Sequence, residues 1–209
     1  SMKKTGGVLT VHCENHGITN YLKDDFVKNG KLAAKYHPLS RPNYTESETV
    51  GRLIQISELA GDSNLYIVHT SAKESLEQVR LARKKGIKNL KVETCPQYLF
   101  LTDDVYDKED KESLKYIMAP PLRKKEDNVA LINAIKDNTI DVVATDHCPF
   151  MLEQKLEGIG DFSKAPGGVA GVEERVMLMF TNMVSTGQIT ENEFVKIMCE
   201  NPAKIFGMY

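Results

Sequence analysis

Three apolar runs in this 209-residue chain finish on a side chain that can bind a metal. Val8-Leu9-Thr10-Val11 ends in His12, Leu65-Tyr66-Ile67-Val68 ends in His69, and Ile140 to Thr145 ends in Asp146. Short β-branched runs like these fit strands of a buried parallel sheet. In such sheets the carboxyl ends of the strands form one rim, and sites are built there. Residues distant in sequence can therefore meet around one ion. Two imidazoles and a carboxylate suit Zn²⁺ or a similar divalent metal. A single His closing a strand is more often a hydrogen-bonded residue than a ligand. Three donors at the same end of three strands bring the two readings level.

Other reactive side chains point to less. In Asp146-His147-Cys148 the His and Cys are chain neighbours, and neighbours on an extended segment face opposite ways, so they form no nucleophilic pair. His16 and His37 stand in loop-like sequence, His37 directly before Pro38, and are expected to face solvent. Arg123-Lys124-Lys125 opens a helix and is expected to be a solvated face. Pro166 to Gly171 is a glycine-rich loop ahead of a helix, but it lacks the lysine of a phosphate loop and follows no strand directly.

The elements that must position these groups alternate. Leu90 to Thr94 is a further, less regular strand. Thr45-Glu46-Ser47-Glu48 has capping-box spacing, with Val50, Leu53, Ile54 and Ser57 on one stripe behind it. Ser71-Ala72-Lys73-Glu74 repeats that device ahead of Leu76, Val79 and Ala82, with Gly86 as a stop. Asp127 to Asn138 and Val172 to Thr186 read as helices, and Thr190-Glu191-Asn192-Glu193 caps a last one that ends before Pro202. Strand, helix, strand, helix means βαβ units and an α/β fold. No linker or internal repeat divides the chain, so residues 1–209 are expected to form a single domain.

Composition removes several function classes. With 27 basic and 29 acidic residues the net charge is −2, so the basic field of a nucleic-acid binder is absent. No run approaches the ~18 apolar residues of a membrane span, and the mean hydropathy is −0.34. The start, SMKKTGGVLTVHCEN, has no apolar stretch adequate for a signal peptide, and Ser1 before Met2 reads as an expression scar. Cys13, Cys95, Cys148 and Cys199 form no C-x-x-C pair, which fits free thiols in a reducing cytoplasm.

Seven motifs, in order, resemble one family. VHCEN (Val11 to Asn15), YIVHTS (Tyr66 to Ser71), ETCPQYL (Glu93 to Leu99) and APPLR (Ala119 to Arg123) come first. ATDHCPF (Ala144 to Phe150), PGGVAGVEER (Pro166 to Arg175) and NPAKIFG (Asn201 to Gly207) follow. Together they resemble the dihydropyrimidinases and D-hydantoinases, cyclic amidohydrolases built on a TIM barrel. The resemblance implies that His12 and His69 are metal-binding histidines of the fifth and sixth barrel strands. It implies that Asp146, on the eighth strand, binds metal and moves the proton as catalytic residue. In the family a hydroxide held between two metals, here expected to be zinc, attacks the carbonyl of a small cyclic amide substrate.

The departures from the pattern are as informative. The family's serine before PPLR is Ala119 here, and its asparagine after the proline of the glycine loop is Gly167. Both positions hold substrate largely through main-chain groups, so binding through Ala119 and Gly167 is still expected. The first-strand H-x-H and the fourth-strand lysine do not occur, so the second metal site is incomplete. The fold implied is a partial (β/α)8 barrel, approximately strands 5 to 8 with their helices. The chain is then a fragment, expected to have little activity alone, with bare edges at Val8–His12 and Ile140–Asp146 that favour a homo-oligomer. An allantoinase or dihydroorotase, or a non-catalytic dihydropyrimidinase-like scaffold protein, are the alternatives the resemblance leaves open.

Overall fold

Parallel strands can be joined only by a crossover, and this chain places helices where crossovers are needed. The computed structural model describes residues 2–208; Ser1, read above as an expression scar, lies outside them. The strands are β1 (Leu9–Val11), β2 (Leu65–Ile67), β3 (Leu90–Thr94) and β4 (Val142–Val143). All pair in parallel, in the order β1-β2-β3-β4, with Leu65 opposite Leu9 and Leu90, and Glu93 opposite Val142. Helices Asn43–Leu59, Lys73–Lys84 and Lys125–Lys136 fill the three crossovers. Each strand lies beside the one before it. This is the order of successive barrel units, without the reversal that marks a doubly wound sheet.

The period of two along each strand sorts the side chains. Leu65, Ile67, Leu90 and Val92 bury themselves in one cluster with Val50 and Ile54, Leu76 and Val79, and Leu131 and Ile135 from the three crossover helices. Each such side chain contributes roughly 1.5–3 kcal/mol by leaving water. Tyr66 and Glu93 face the other way and meet through a 2.6 Å hydrogen bond from the phenol to the carboxylate. The sheet therefore presents an apolar side to the helices and a polar feature to its opposite side.

Helix starts differ from the expected ones because tertiary partners replace local caps. The first crossover helix begins at Asn43, with Pro42 as its cap, so Thr45 and Glu46 lie inside it. The second begins at Lys73, and its first amides are satisfied from a distance. Ser71 N and Ala72 N donate to Glu46 at 3.1 Å, and Lys73 N donates to Asp127 at 3.0 Å. The Thr190–Glu193 box forms as expected, with reciprocal bonds of 3.2 and 2.8 Å. The helix from Val172 loosens into a π turn at Phe180–Val184. The last helix does not stop before Pro202: a π turn at Lys196–Glu200 leads into Asn201–Ile205, whose first turn tolerates the proline.

The two sheet edges also differ. β1 is exposed, with Leu9 40% accessible. The far edge is not bare: Val142 and Val143 are buried, Arg175 donates to Val143 O at 3.0 Å, and Asn201 donates to Asp141 O at 2.7 Å. The C-terminal helices thus cover β4, which corrects the expectation of two open edges. Among the described residues all four cysteines are unpaired, and no helix is long and apolar enough to cross a membrane.

Candidate functional site

Both expected histidine ligands sit where their strands end, and the backbone is unusual at one of them. His12 follows β1 directly, while His69 lies just beyond β2 with φ of 38°. Asp146, after β4, has φ of 49°. Left-handed backbone is uncommon for residues other than glycine, and at strand ends it turns the side chain out of the sheet's alternation. His12 Nδ1 stands 2.9 Å from His69 Nε2, with the ring centroids 4.8 Å apart and the planes at 68°. Residues separated by a whole crossover unit are therefore in direct contact.

Each histidine is held by a carboxylate, His12 through its ring and His69 through its backbone. His12 Nε2 is 3.0 Å from Glu14 Oε2, and the Arg41 guanidinium binds the same oxygen. The backbone N–H of His69 donates to Glu93 Oε1 at 3.1 Å, and Tyr66 holds Glu93 Oε2. His69 Nδ1 is buried without a partner among the described residues. Burial, and then the neighbouring His12, lower the His69 pKa, against the opposing pull of Asp146 and Glu46. Burial opposes ionisation of Glu14, but the His12 hydrogen bond and the Arg41 and Arg123 charges outweigh it and hold its pKa low. Burial raises the pKa of Glu93, and its bonds to Tyr66 and to the His69 amide only partly counter that.

A second buried cluster lies behind His69. Glu46 is 2% accessible and accepts from Ser71 N, Ala72 N and the Ser71 and Ser75 hydroxyls, with Arg123 Nη2 at 3.4 Å. Arg123, expected on a solvated face, is buried, donating through Nε to Ser71 and through Nη1 to Arg41 O. Planar guanidinium suits this role, since its donors reach three acceptors at once. His37 is not solvent-facing either. It is buried, 2.7 Å from Met118 O, and burial pulls its pKa down to about 4 despite that bond. None of these groups announced itself, because a charged residue's tertiary partner leaves no local pattern.

The two expected main-chain substrate positions are brought together. Gly168 N donates to Ile117 O at 3.0 Å, which lays the Gly167 loop against the Met118-Ala119 segment. Lys155 ties the same two segments, donating to Ile117 O and Pro166 O at 2.7 Å each. His147 does not approach Cys148 as a base. Its Nδ1 accepts from Gly171 N and Val172 N at 3.1 and 3.3 Å, capping the helix Val172–Met179.

No protein-family model matches the chain. A curated D-phenylhydantoinase from Escherichia coli is 43% identical over 209 residues, which is all of this chain and 45% of that protein. The solved dihydropyrimidinase from Brevibacillus agri NCHU1002 superposes with a TM-score of 0.96 at 39% identity, over 99% of this chain and 45% of that one. The chain belongs to the dihydropyrimidinase and D-hydantoinase family. An L-hydantoinase from Arthrobacter aurescens also superposes, with a TM-score of 0.90 at 32% identity, over 100% of this chain and 45% of that one. The chain spans about half the length of the curated relatives it matches, at 45%.

For a hydantoinase-family chain the donor set can be tested against a metal. Two zinc-bound imidazole nitrogens at ~2.0–2.1 Å and tetrahedral angles lie roughly 3.3 Å apart. The observed 2.9 Å separation needs only a slight opening to match. His69 Nδ1, buried without a partner among the described residues, is a polar atom that the present contacts leave unsatisfied. Asp146 is exposed and makes no hydrogen bond to either imidazole among the described residues, although its charge acts on His69. Among the described residues no group of three His, Cys, Asp or Glu is already placed to hold an ion. The histidine pair fits two corners of a metal site; the structure does not bring Asp146 in as a third.

Lys155 gives this family chain a measurable stability signature. Replacing it with Met should cost about 2 kcal/mol, since Pro166 O loses this donor and Ile117 O keeps only the Gly168 amide. Burial also pulls the lysine down to about 8, with Cys148 opposing. An unfolded lysine titrates near ~10.4, so across that interval the unfolded chain binds more protons than the folded one. Stability therefore gains a component that rises with pH from about 8 upward, and Lys155→Met should lack it. Urea midpoints at several pH values would show the difference; parallel pH profiles for the two proteins would refute it.

Proposed function

We propose that the whole protein to which this sequence belongs is a metal-dependent hydrolase that opens cyclic amide rings such as hydantoins and dihydropyrimidines. In this reading residues 1–209 form one partial barrel domain, approximately strands 5 to 8. The observation that carries the proposal is the direct pairing of His12 with His69 at 2.9 Å, at equivalent ends of adjacent parallel strands. The substrate class is proposed by analogy with the hydantoinases and the dihydropyrimidinase that the chain resembles.

His12 and His69 would hold the ion, which we take to be zinc, and Asp146 would join them when it is bound. Such an ion lowers the pKa of a water and polarises the amide carbonyl. The chain's own groups do the rest. Asp146, exposed at the strand-end rim, takes the proton of the attacking water and returns it to the departing ring nitrogen. The main chain at Ala119 and Gly167 holds the ring in place, on segments that Lys155 and the Gly168 amide already clamp together. Glu93 and Tyr66 fix the backbone from which His69 projects.

The test is elemental analysis of the whole protein carrying His69→Ala. Bound zinc should fall sharply, and hydantoin hydrolysis should drop about 100-fold or more, as several kcal/mol of transition-state stabilisation are lost. Wild-type metal content in a variant lacking His12, His69 and Asp146 together would overturn the assignment.

A further inference from the structure

A relay of charges, buried except for the half-buried Arg41, runs from one imidazole-bearing strand end to the other. It begins at Glu14, two residues past His12, whose Oε2 touches both His12 Nε2 and the Arg41 guanidinium. Arg41 then receives Arg123 on its carbonyl, and Arg123 pairs with Glu46. Glu46 in turn fixes Ser71 and Ala72, the residues that follow His69. Glu14 is 8% accessible, and its other oxygen, Oε1, has no partner among the described residues, so Oε2 alone carries both contacts.

An ionised carboxylate can only accept hydrogen bonds. At 3.0 Å from Oε2, His12 Nε2 must therefore be the nitrogen that bears the hydrogen. His12 Nδ1 is then left with its lone pair directed at His69 Nε2. We propose that Glu14, anchored by Arg41, is a positioning residue that locks His12 in the Nε2–H tautomer and so presents Nδ1 as a metal ligand. The inference rests on the metal reading above. It adds to it the group that orients the ligand, of the kind whose removal typically weakens metal binding 10–100-fold.

The geometry also separates this role from simple packing. A packing residue would hold the ring in place but would not choose which nitrogen is protonated. Arg41 prevents Glu14 from turning away, since both contacts share one oxygen. Glu14→Gln keeps the shape but can present either an amide hydrogen or a carbonyl to Nε2, so it removes the choice while leaving the volume.

The experiment uses the 209-residue chain with its histidines labelled with ¹⁵N. In the wild type the His12 ring nitrogens should report the Nε2–H tautomer, and in Glu14→Gln a mixture. Titration with zinc ions alone should show affinity lowered 10–100-fold in Glu14→Gln, with His69→Ala as the control that removes a ligand. If Glu14→Gln folds poorly, the double variant Glu14→Leu/Arg41→Leu removes both charges together and should show the same mixture and the same loss. A wild-type His12 in the Nδ1–H form overturns the proposal, as does a folded Glu14 variant that keeps both the wild-type tautomer and the wild-type zinc affinity. Zinc affinity unchanged by His69→Ala would instead overturn the metal reading, and the tautomer measurement would still decide the role of Glu14.

Discussion

Glu46→Ala should destabilise the chain by about 3–5 kcal/mol, the cost of breaking a buried ion pair from one side. Arg123, 4% accessible, would be left without its anion. Ser71 N and Ala72 N would also lose their acceptor, and the Ser75 hydroxyl its 2.7 Å partner. Those amides stand at the start of the helix Lys73–Lys84, so the loss falls on a helix terminus as well as on the core. Glu46→Gln keeps one carbonyl acceptor and should cost clearly less. The double variant Glu46→Leu/Arg123→Met should recover much of the loss, because a pair removed together leaves no orphaned charge. Urea unfolding with constant m-value gives the comparison. A loss below ~1 kcal/mol in Glu46→Ala would show that the cluster is solvated and does not hold the His69 segment.

How much of this was legible beforehand depended on whether a residue's partner was local. The apolar strand cores Leu65–Ile67 and Leu90–Thr94 emerged where β-branched runs placed them, because burial on a sheet follows the period of two. The Thr190 box also emerged, since both of its partners lie within one turn. The boxes at Thr45 and Ser71 did not form, because Glu46 and Asp127 reach across the fold to cap the second helix from outside. His37 and Arg123 were misplaced at the surface for the same reason: their acceptors, Met118 O and Glu46, are more than seventy positions away. Of the site, the histidine pair was readable from strand ends and motif. Glu14 sat in the same VHCEN motif, but only the fold reveals that its carboxylate points back at His12. Asp146 remains apart from both imidazoles, at a position where the charge is felt but no bond forms.

Of two adjacent glycines in the loop Pro166–Gly171, one should be strongly destabilised by alanine and the other nearly indifferent to it. Gly168 has φ of 151°, a conformation that L side chains rarely adopt. A Cβ there would lie 2.5 Å from Cys148 O and 2.9 Å from Cys148 Cβ. Neither atom can move cheaply. Cys148 N is bonded to Val169 O at 2.9 Å, His147 bridges Val169, and Gly168 N is bonded to Ile117 O at 3.0 Å. Backbone strain and overpacking each cost ~1–3 kcal/mol, so Gly168→Ala should lose about 3 kcal/mol or open the loop locally. Gly167 is different: a Cβ there meets nothing nearer than Met118 Cα at 4.0 Å. Gly167→Ala should stay within ~0.5 kcal/mol of the wild type. The contrast has a functional use. In the whole protein Gly168→Ala should change substrate affinity only through a disordered loop, visible as faster amide exchange at residues 168 and 169. Gly167→Ala should leave exchange unchanged, so any shift in KM for a hydantoin would report contact with the substrate itself. Equal stabilities for the two variants would show that the loop yields freely, and that the clamp on the Met118-Ala119 segment is weaker than its bonds imply.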